Sequence, residues 1–365
     1  MNIILIILVF GVIIFFHELG HFIVAKMNHI TVKEFSMGLG PKLFSFNKKE
    51  TQYSLRLIPL GGYCMMLSED EEENENDENS FDKKSIWARM AVVLAGPFMN
   101  IVIAFIFSVV IIHFCGTDPA TIGRVYSDEL AQESDYADIA KEFGGDYPAA
   151  KAGIQDGDTV LKIGGSSIKN FRELQIYLEI YGDGSPIDLT LKRTDGEVYD
   201  TTVYPVKTSA GYKIGIISSG YKLPENFGEL MKYSAYEVRY WVKATFLSLK
   251  LIVTRQVSSD QVSGPVGVAK SMNETFNEAA KVDVFTVLLN WMNYIVLMSA
   301  NIGIMNMLPI PGLDGGRFLF LLIELITRRK VPKDKENIVT VIGFVLVMIL
   351  MVVILFNDIK NVFFS

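Results

Sequence analysis

The chain has 365 residues, half of them hydrophobic, with a mean hydropathy of +0.30 and a net charge of −7. That apolar content is high for a water-soluble protein and low for a bundle made only of membrane spans, so it predicts membrane helices plus at least one water-soluble domain. The acidic balance, with no basic stripe among aromatics, excludes nucleic acid as the expected partner. The two cysteines, Cys64 and Cys115, form neither a disulfide framework nor a metal-type spacing, and are expected not to be bonded to each other.

Four stretches supply the roughly 20 mostly apolar residues that a spanning helix needs: 3–24, 90–114, 285–308 and 337–356. The first is expected to be a retained helix rather than a cleaved leader. It lacks a basic n-region and a small-residue cleavage site, and the helix continues through Glu18. Next, 26–89 carries alternating stretches such as "ETQYSLRLIPL", punctuated by "GLGP" and "GG". It predicts short β-strands or hairpins near the membrane face, with a solvated acidic loop at 69–79.

After the second span, 115–205 reads as a small α/β module of short strands and turns, with one helix at 170–181. The region 206–284 is expected to be helical and amphipathic, its Tyr and Trp suiting a membrane interface. Between the third and fourth spans, 309–336 holds an irregular loop and a helix at 317–326 that is too short to cross. Lysines and arginines concentrate in 26–89 and 309–336, which places both in the cytoplasm. The 115–284 segment and both termini are then outside, with Cys64 and Cys115 on opposite faces.

Within the first span stands "HELGH". His17 and His21 are four residues apart and share one face of a helix, so two imidazoles can hold one Zn²⁺. Glu18, beside the first ligand, can take a proton from an attacking water. The bland alternative is a pair of interfacial histidines with a Glu–Lys partner, but ionisable groups inside an apolar span point to function.

A hydrolytic zinc site needs a third protein ligand and an open position. The third span ends at the same face as the histidines, in "NMLPIPGLDGGR". Pro309 and Pro311 break regular helix there, and Gly315 and Gly316 permit close backbone approach. Asp314 is the expected third ligand, its alternative role being a cap on the 317–326 helix. Glu324, Glu34, His29 and His113 are weaker candidates, the last standing near the opposite end of the second span.

Taken together, "HELGH", "LAGPFMN" and "NMLPIPGLDGG" resemble the site-2 protease family of intramembrane zinc metalloproteases, in its bacterial branch that cleaves anti-sigma factors and signal-peptide remnants. The resemblance covers nearly the whole chain. It implies His17, His21 and Asp314 as ligands of one Zn²⁺, Glu18 as catalytic base, and Asn306, Pro309 and Pro311 as an element that helps hold the substrate backbone. Asn100 supplies a polar group at the depth of the site and is a possible support. Gly96 and Pro97 read as helix packing.

The outside module is similar to a single PDZ domain through "PAAKAGIQDGDTVLKIGGSSI", although residues between Ser127 and Tyr147 interrupt the usual spacing. "TIGRV" is the candidate for its carboxylate-binding loop. The expected fold is thus a polytopic α-helical membrane protein with four transmembrane helices, a membrane-associated β-hairpin region and an extracytoplasmic PDZ-like domain.

The expected setting is a bacterial cytoplasmic membrane, and the expected partners are the bilayer and single-pass proteins already trimmed by another protease. The module would act as a size filter or bind peptide ends. The competing readings are a metal-handling transporter, against which stands the lack of an internal repeat of spans, and an inert PDZ scaffold, against which stand the intact motifs.

Overall fold

The computed structural model describes residues 2–67, 77–133, 136–180, 183–209, 211–254 and 264–363. In chain order these form α1 (Asn2–Met27), β1 (Val32–Lys48), β2 (Thr51–Met66), α2 (Ile86–Cys115), β3 (Ile122–Val125), α3 (Ala137–Glu142), α4 (Pro148–Lys151), β4 (Thr159–Ile163), β5 (Ser166–Ser167), α5 (Phe171–Ile180), β6 (Ile187–Lys192) and β7 (Val198–Val203). They continue as β8 (Val206–Thr208), β9 (Gly211–Lys213), β10 (Ile216–Ser218), α6 (Phe227–Val253), α7 (Pro265–Val282), α8 (Val284–Met307), α9 (Asp314–Thr327) and α10 (Lys333–Phe363). Two compact units result: Met1–Ser108 with Thr245–Ser365, and Val109–Ala244.

In the first unit, four helices are long and apolar enough to cross a bilayer: α1, α2, α8 and Asp334–Lys360 of α10. The buried stripe of α1 runs Val9, Ile13, His17, His21 in steps of four, so one helix face passes from aliphatic to imidazole. Its aliphatic half packs with Ile103 of α2, Met272 and Phe276 of α7, and Ile295 of α8. Glycines bring the backbones together. A Cβ at Gly20 would lie 2.3 Å from the Ala95 carbonyl oxygen, and one at Gly303 would lie 3.1 Å from that of Pro97.

β1 and β2 are much longer than the short strands expected. They bend rather than stop at the glycines: Gly38, Gly40 and Gly61 all have positive φ. The bends fold the hairpin back on itself. Phe35 pairs with Cys64 on one side and Tyr53 on the other, and Ser36 with Tyr63 and Ser54. Residues 34–37 are therefore an inner strand, and 62–66 form an edge with no strand on its outer side among the described residues. The acidic loop expected at 69–79 falls mostly on 68–76, outside the described residues. Cys64 and Cys115 are not joined in a disulfide.

The second unit has a four-stranded antiparallel sheet, in order β5-β4-β6-β7, over a core of Val160, Ile163, Leu174, Leu189, Leu191 and Val203. The interruption between Ser127 and Tyr147 folds as a satellite core of Tyr126, Leu130, Ala140, Phe143 and Tyr147. "TIGRV" is largely β3, and its main chain pairs with β10. That pairing, with the bridge from Thr117 to Lys222, closes the module near residue 222 and not at 205. The 206–284 region accordingly opens with three short strands before its helices α6 and α7, a long-range pairing that local amphipathicity does not reveal.

Most of α10 turns outward-facing apolar side chains such as Ile342, Leu346, Ile349 and Val353 away from the other helices. Asp358 holds it to α7. Its carboxylate accepts the main-chain N–H groups of Gly264 (2.8 Å), Val266 (2.9 Å) and Gly267 (2.9 Å), which would otherwise be unpaired at a helix start. Asp358→Ala should lower stability by about 2 kcal/mol, with Asp358→Asn recovering part of it, as read from thermal unfolding in detergent.

Candidate metal centre

Three side chains from distant parts of the chain meet at the end of the α1 stripe. Asp314 Oδ2 lies 3.0 Å from His17 Nε2 and 3.5 Å from His21 Nε2, and the two Nε2 atoms are 3.3 Å apart. Both imidazoles are buried. Among the described residues, this is the one group of three or more His, Cys, Asp or Glu able to share an ion.

The second helix sets the tautomers. His21 Nδ1 is 2.8 Å from the main-chain oxygen of Val92. A carbonyl only accepts, so Nδ1 carries the hydrogen and Nε2 keeps its lone pair. His17 Nδ1 faces the carboxamide of fully buried Asn100 at 3.2 Å. As placed, Asn100 Nδ2 is the atom 3.2 Å from Nδ1; exchanging the amide's oxygen and nitrogen, which leaves its shape unchanged, puts Oδ1 there to accept the Nδ1 hydrogen and gives the buried oxygen, otherwise unpartnered, a donor. His17 Nε2 is then also a lone pair.

Gly96 stands between. A Cβ there would lie 2.3 Å from His21 Nε2 and 2.8 Å from His17 Cε1, so glycine keeps the space beside both donor atoms clear. Val92, Gly96 and Asn100 follow one another at i, i+4 and i+8 along one face of α2. Pro97 within α2 removes one N–H from that helix's ladder.

These features fit a divalent cation. Neither Nε2 can donate to the other, and Asp314 Oδ2 is buried without a hydrogen bond although two nitrogens lie close by. A convergence of three lone pairs lacks only a positive partner. Two imidazoles and one carboxylate, with a remaining position on a cavity, suit Zn²⁺.

Asp314 reaches the centre through irregular backbone. Gly312 has φ of 97°, and α9 begins at Asp314, three residues earlier than the helix expected at 317–326. Asp314 is thus the first residue of α9, and Leu313 occupies the cap position. Gly315 and Gly316 let that first turn tuck under the 307–311 segment. A Cβ at Gly315 would lie 2.0 Å from the Leu308 oxygen, and one at Gly316 2.4 Å from that of Ile310.

A cavity of about 550 Å³ opens onto the centre, walled by His17, Glu18, His21 and Asp314 together with Tyr63 and Cys64 of β2 and Arg317 of α9. The Cys64 main-chain amide meets the Glu18 carboxyl. Asn306 lies in the last turn of α8, and Pro309 and Pro311 lie in the following loop, all three outside this cavity's wall. Pro311 instead supports α10: a Cβ at Gly343 would lie 2.3 Å from its oxygen.

Glu324 is paired with Arg89 at 2.5 Å, Glu34 lies in the sheet, and His29 and His113 are exposed. The parts that sequence reasoning passed over are the Val92 oxygen and the clearance at Gly96. The spacing of Gly96 and Asn100 by four residues was the available signal for the second.

Gly96→Ala should abolish stoichiometric zinc binding. Asn100→Leu should weaken it by about 10–100-fold, as is usual for a lost outer partner of a metal-bound histidine. Zinc content after titration with a chelator reads both.

The profile of peptidase family M50 matches residues 5–350 of the chain. A relative from Clostridium acetobutylicum that carries a zinc metalloprotease name is 36% identical over 360 residues, covering 98% of this chain and 97% of its own. The zinc metalloprotease RasP of Geobacillus kaustophilus is 29% identical over 441 aligned residues, covering 99% and 98%. The regulator of sigma-W protease RasP of Bacillus subtilis is 29% identical over 440, covering 98% of each. The match spans the converging His17, His21 and Asp314 and nearly the whole chain, which therefore belongs to peptidase family M50, the site-2 protease family of zinc metalloproteases.

Proposed function

We propose that the chain hydrolyses peptide bonds within the membrane-spanning segments of single-pass membrane proteins, with His17, His21 and Asp314 as zinc ligands and Glu18 as general base. One observation carries the reading: two of the three converging ligands and the neighbouring carboxylate sit on a helix of span length, beside a cavity and a strand edge.

Zinc held there supplies a Lewis acid that polarises a carbonyl and acidifies a water. Glu18 lines the cavity next to the ligands, where it can take a proton from the attacking water and pass it to the leaving nitrogen. A peptide bond in a helix is shielded by its own hydrogen bonds, and backbone freed in lipid costs several kcal/mol unless it finds partners. The outer edge of 62–66 offers them by strand addition, and its Cys64 amide faces Glu18, so an added strand would pass the base.

The family resemblance assigns Asn306, Pro309 and Pro311 to holding the substrate backbone; standing outside the cavity wall, they would do so only beyond the stretch next to Glu18. Basic residues in 26–89 and 309–336 support a cytoplasmic placement of the centre and an outside placement of the second unit. The Bacillus subtilis relative's name points to a sigma-factor regulator, and a membrane-anchored anti-sigma factor is the substrate class we carry to this chain.

The sheet and α5 of the second unit support the PDZ-like reading. We favour a filter that admits only substrates already trimmed outside.

Glu18→Gln should leave zinc bound and lower the turnover of a trimmed single-pass reporter by about 10²–10⁴-fold, the usual worth of a positioned base. A metal flux altered by this variant would favour a transporter instead. Removing residues 118–221, the module as the strand pairing bounds it, should let untrimmed reporters be cut. Untrimmed reporters that stay intact would rule out the filter.

A further inference from the structure

Arg56, on β2, spends its guanidinium on four separate points of the folded-over sheet. Nε donates to Ser36 Oγ at 2.9 Å and Nη1 to the Gly40 oxygen at 2.7 Å. Nη2 donates to Glu34 Oε1 at 2.8 Å and to the Tyr63 hydroxyl. The guanidinium carbon also lies 5.2 Å from the centre of the Tyr63 ring. Ser36 and Glu34 belong to the inner strand, Gly40 to the bend, and Tyr63 to the 62–66 edge.

Glu34 is the anchor of this arrangement. It is buried, accepts from Ser54 Oγ at 2.5 Å, and has Lys42 Nζ at 3.4 Å. Burial alone would raise its carboxyl; the hydrogen bonds from Ser54 and Arg56 outweigh that and pull it down to about 2, so the pair stays ionised at neutral pH. A pair with one buried member cannot lose the other cheaply, because the buried charge is left without its main partner.

The edge that Arg56 grips is the one at the cavity. The Tyr63 ring and Cys64 line it, and a Cβ at Gly62 would lie 3.3 Å from Glu18 Cγ. We infer that Arg56 is a positioning residue for the substrate: it locks the bent hairpin so that the 62–66 edge stands at a fixed distance from Glu18, ready to pair with an extended chain. The inference rests on the strand-addition reading above. Lysine cannot replace it, since one ammonium cannot serve an inner strand, a bend and an edge in three directions.

The test uses the purified full chain in detergent, a trimmed single-pass reporter, and amide hydrogen exchange. Arg56→Met should raise KM about tenfold with kcat within about twofold and zinc content unchanged, the pattern of lost uniform binding. Arg56→Lys should not rescue it. Exchange at 62–66 should speed up while that of α1 stays as in the wild type. If Arg56→Met fails to fold, Glu34→Gln carries the same measurements.

A wild-type KM and wild-type exchange at 62–66 in these variants would overturn the inference, as would loss of zinc or a fall confined to kcat. A wild-type enzyme that leaves the reporter uncut would instead refute the proposed function. The exchange at 62–66 would still decide whether Arg56 holds the edge.

Discussion

The close contact between α1 and α2 is the constraint on which the rest depends. At Gly20 the first helix leaves no room for a side chain against the Ala95 oxygen, and at Gly96 the second leaves none against the imidazoles. At that separation the Val92 oxygen and the Asn100 carboxamide reach the Nδ1 atoms of His21 and His17. One stripe of α2 thus performs three tasks a turn apart: a main-chain acceptor, an empty space and a side-chain acceptor. Both Nε2 atoms are thereby aimed at one point, each ring held in place by the partner of its other nitrogen.

The third donor depends on backbone that no regular element could provide. Gly312 turns the chain with a positive φ, and Gly315 and Gly316 allow the start of α9 to slide beneath residues 307–311. Asp314 is delivered at the first turn of a helix whose Leu321 is buried in a core with Ala25, Val92 and Val93. Irregular backbone at this depth is tolerable only where protein or a cavity surrounds it, and both conditions hold here. The loop is braced from behind by the Gly343–Pro311 contact, and Asp358 anchors the far part of the same helix.

The folded hairpin adds the remaining wall. Its glycine bends convert two strands into a sheet of side-by-side segments whose edge faces Glu18, and one guanidinium ties the segments together. The three converging ligand-type side chains thereby lie beside a strand edge which, on the proposed function, would pair with an unwound chain. Both are requirements for hydrolysing a bond that starts inside a helix.

What the sequence by itself determined is whatever depends on local period and composition. The four apolar helices are legible because a span must be long and apolar, and His17 and His21 because a step of four places both on one helix face. Asp314 was legible only through the order of the spans, which returns the chain to the histidines' face.

The tertiary structure alone decided the rest, because it rests on contacts between residues far apart in sequence. Gly96 read as packing, yet it clears the coordination space. Val92 offers nothing but a main-chain oxygen, which no side-chain motif can announce. The strands near the membrane were expected to stop at their glycines and instead bend there. The strand module of the second unit closes near residue 222 because β10 returns to pair with β3, and α9 begins at Asp314 because two glycines let the 307–311 segment lie over its first turn. In each case local propensity was compatible with several outcomes, and close backbone approach selected one.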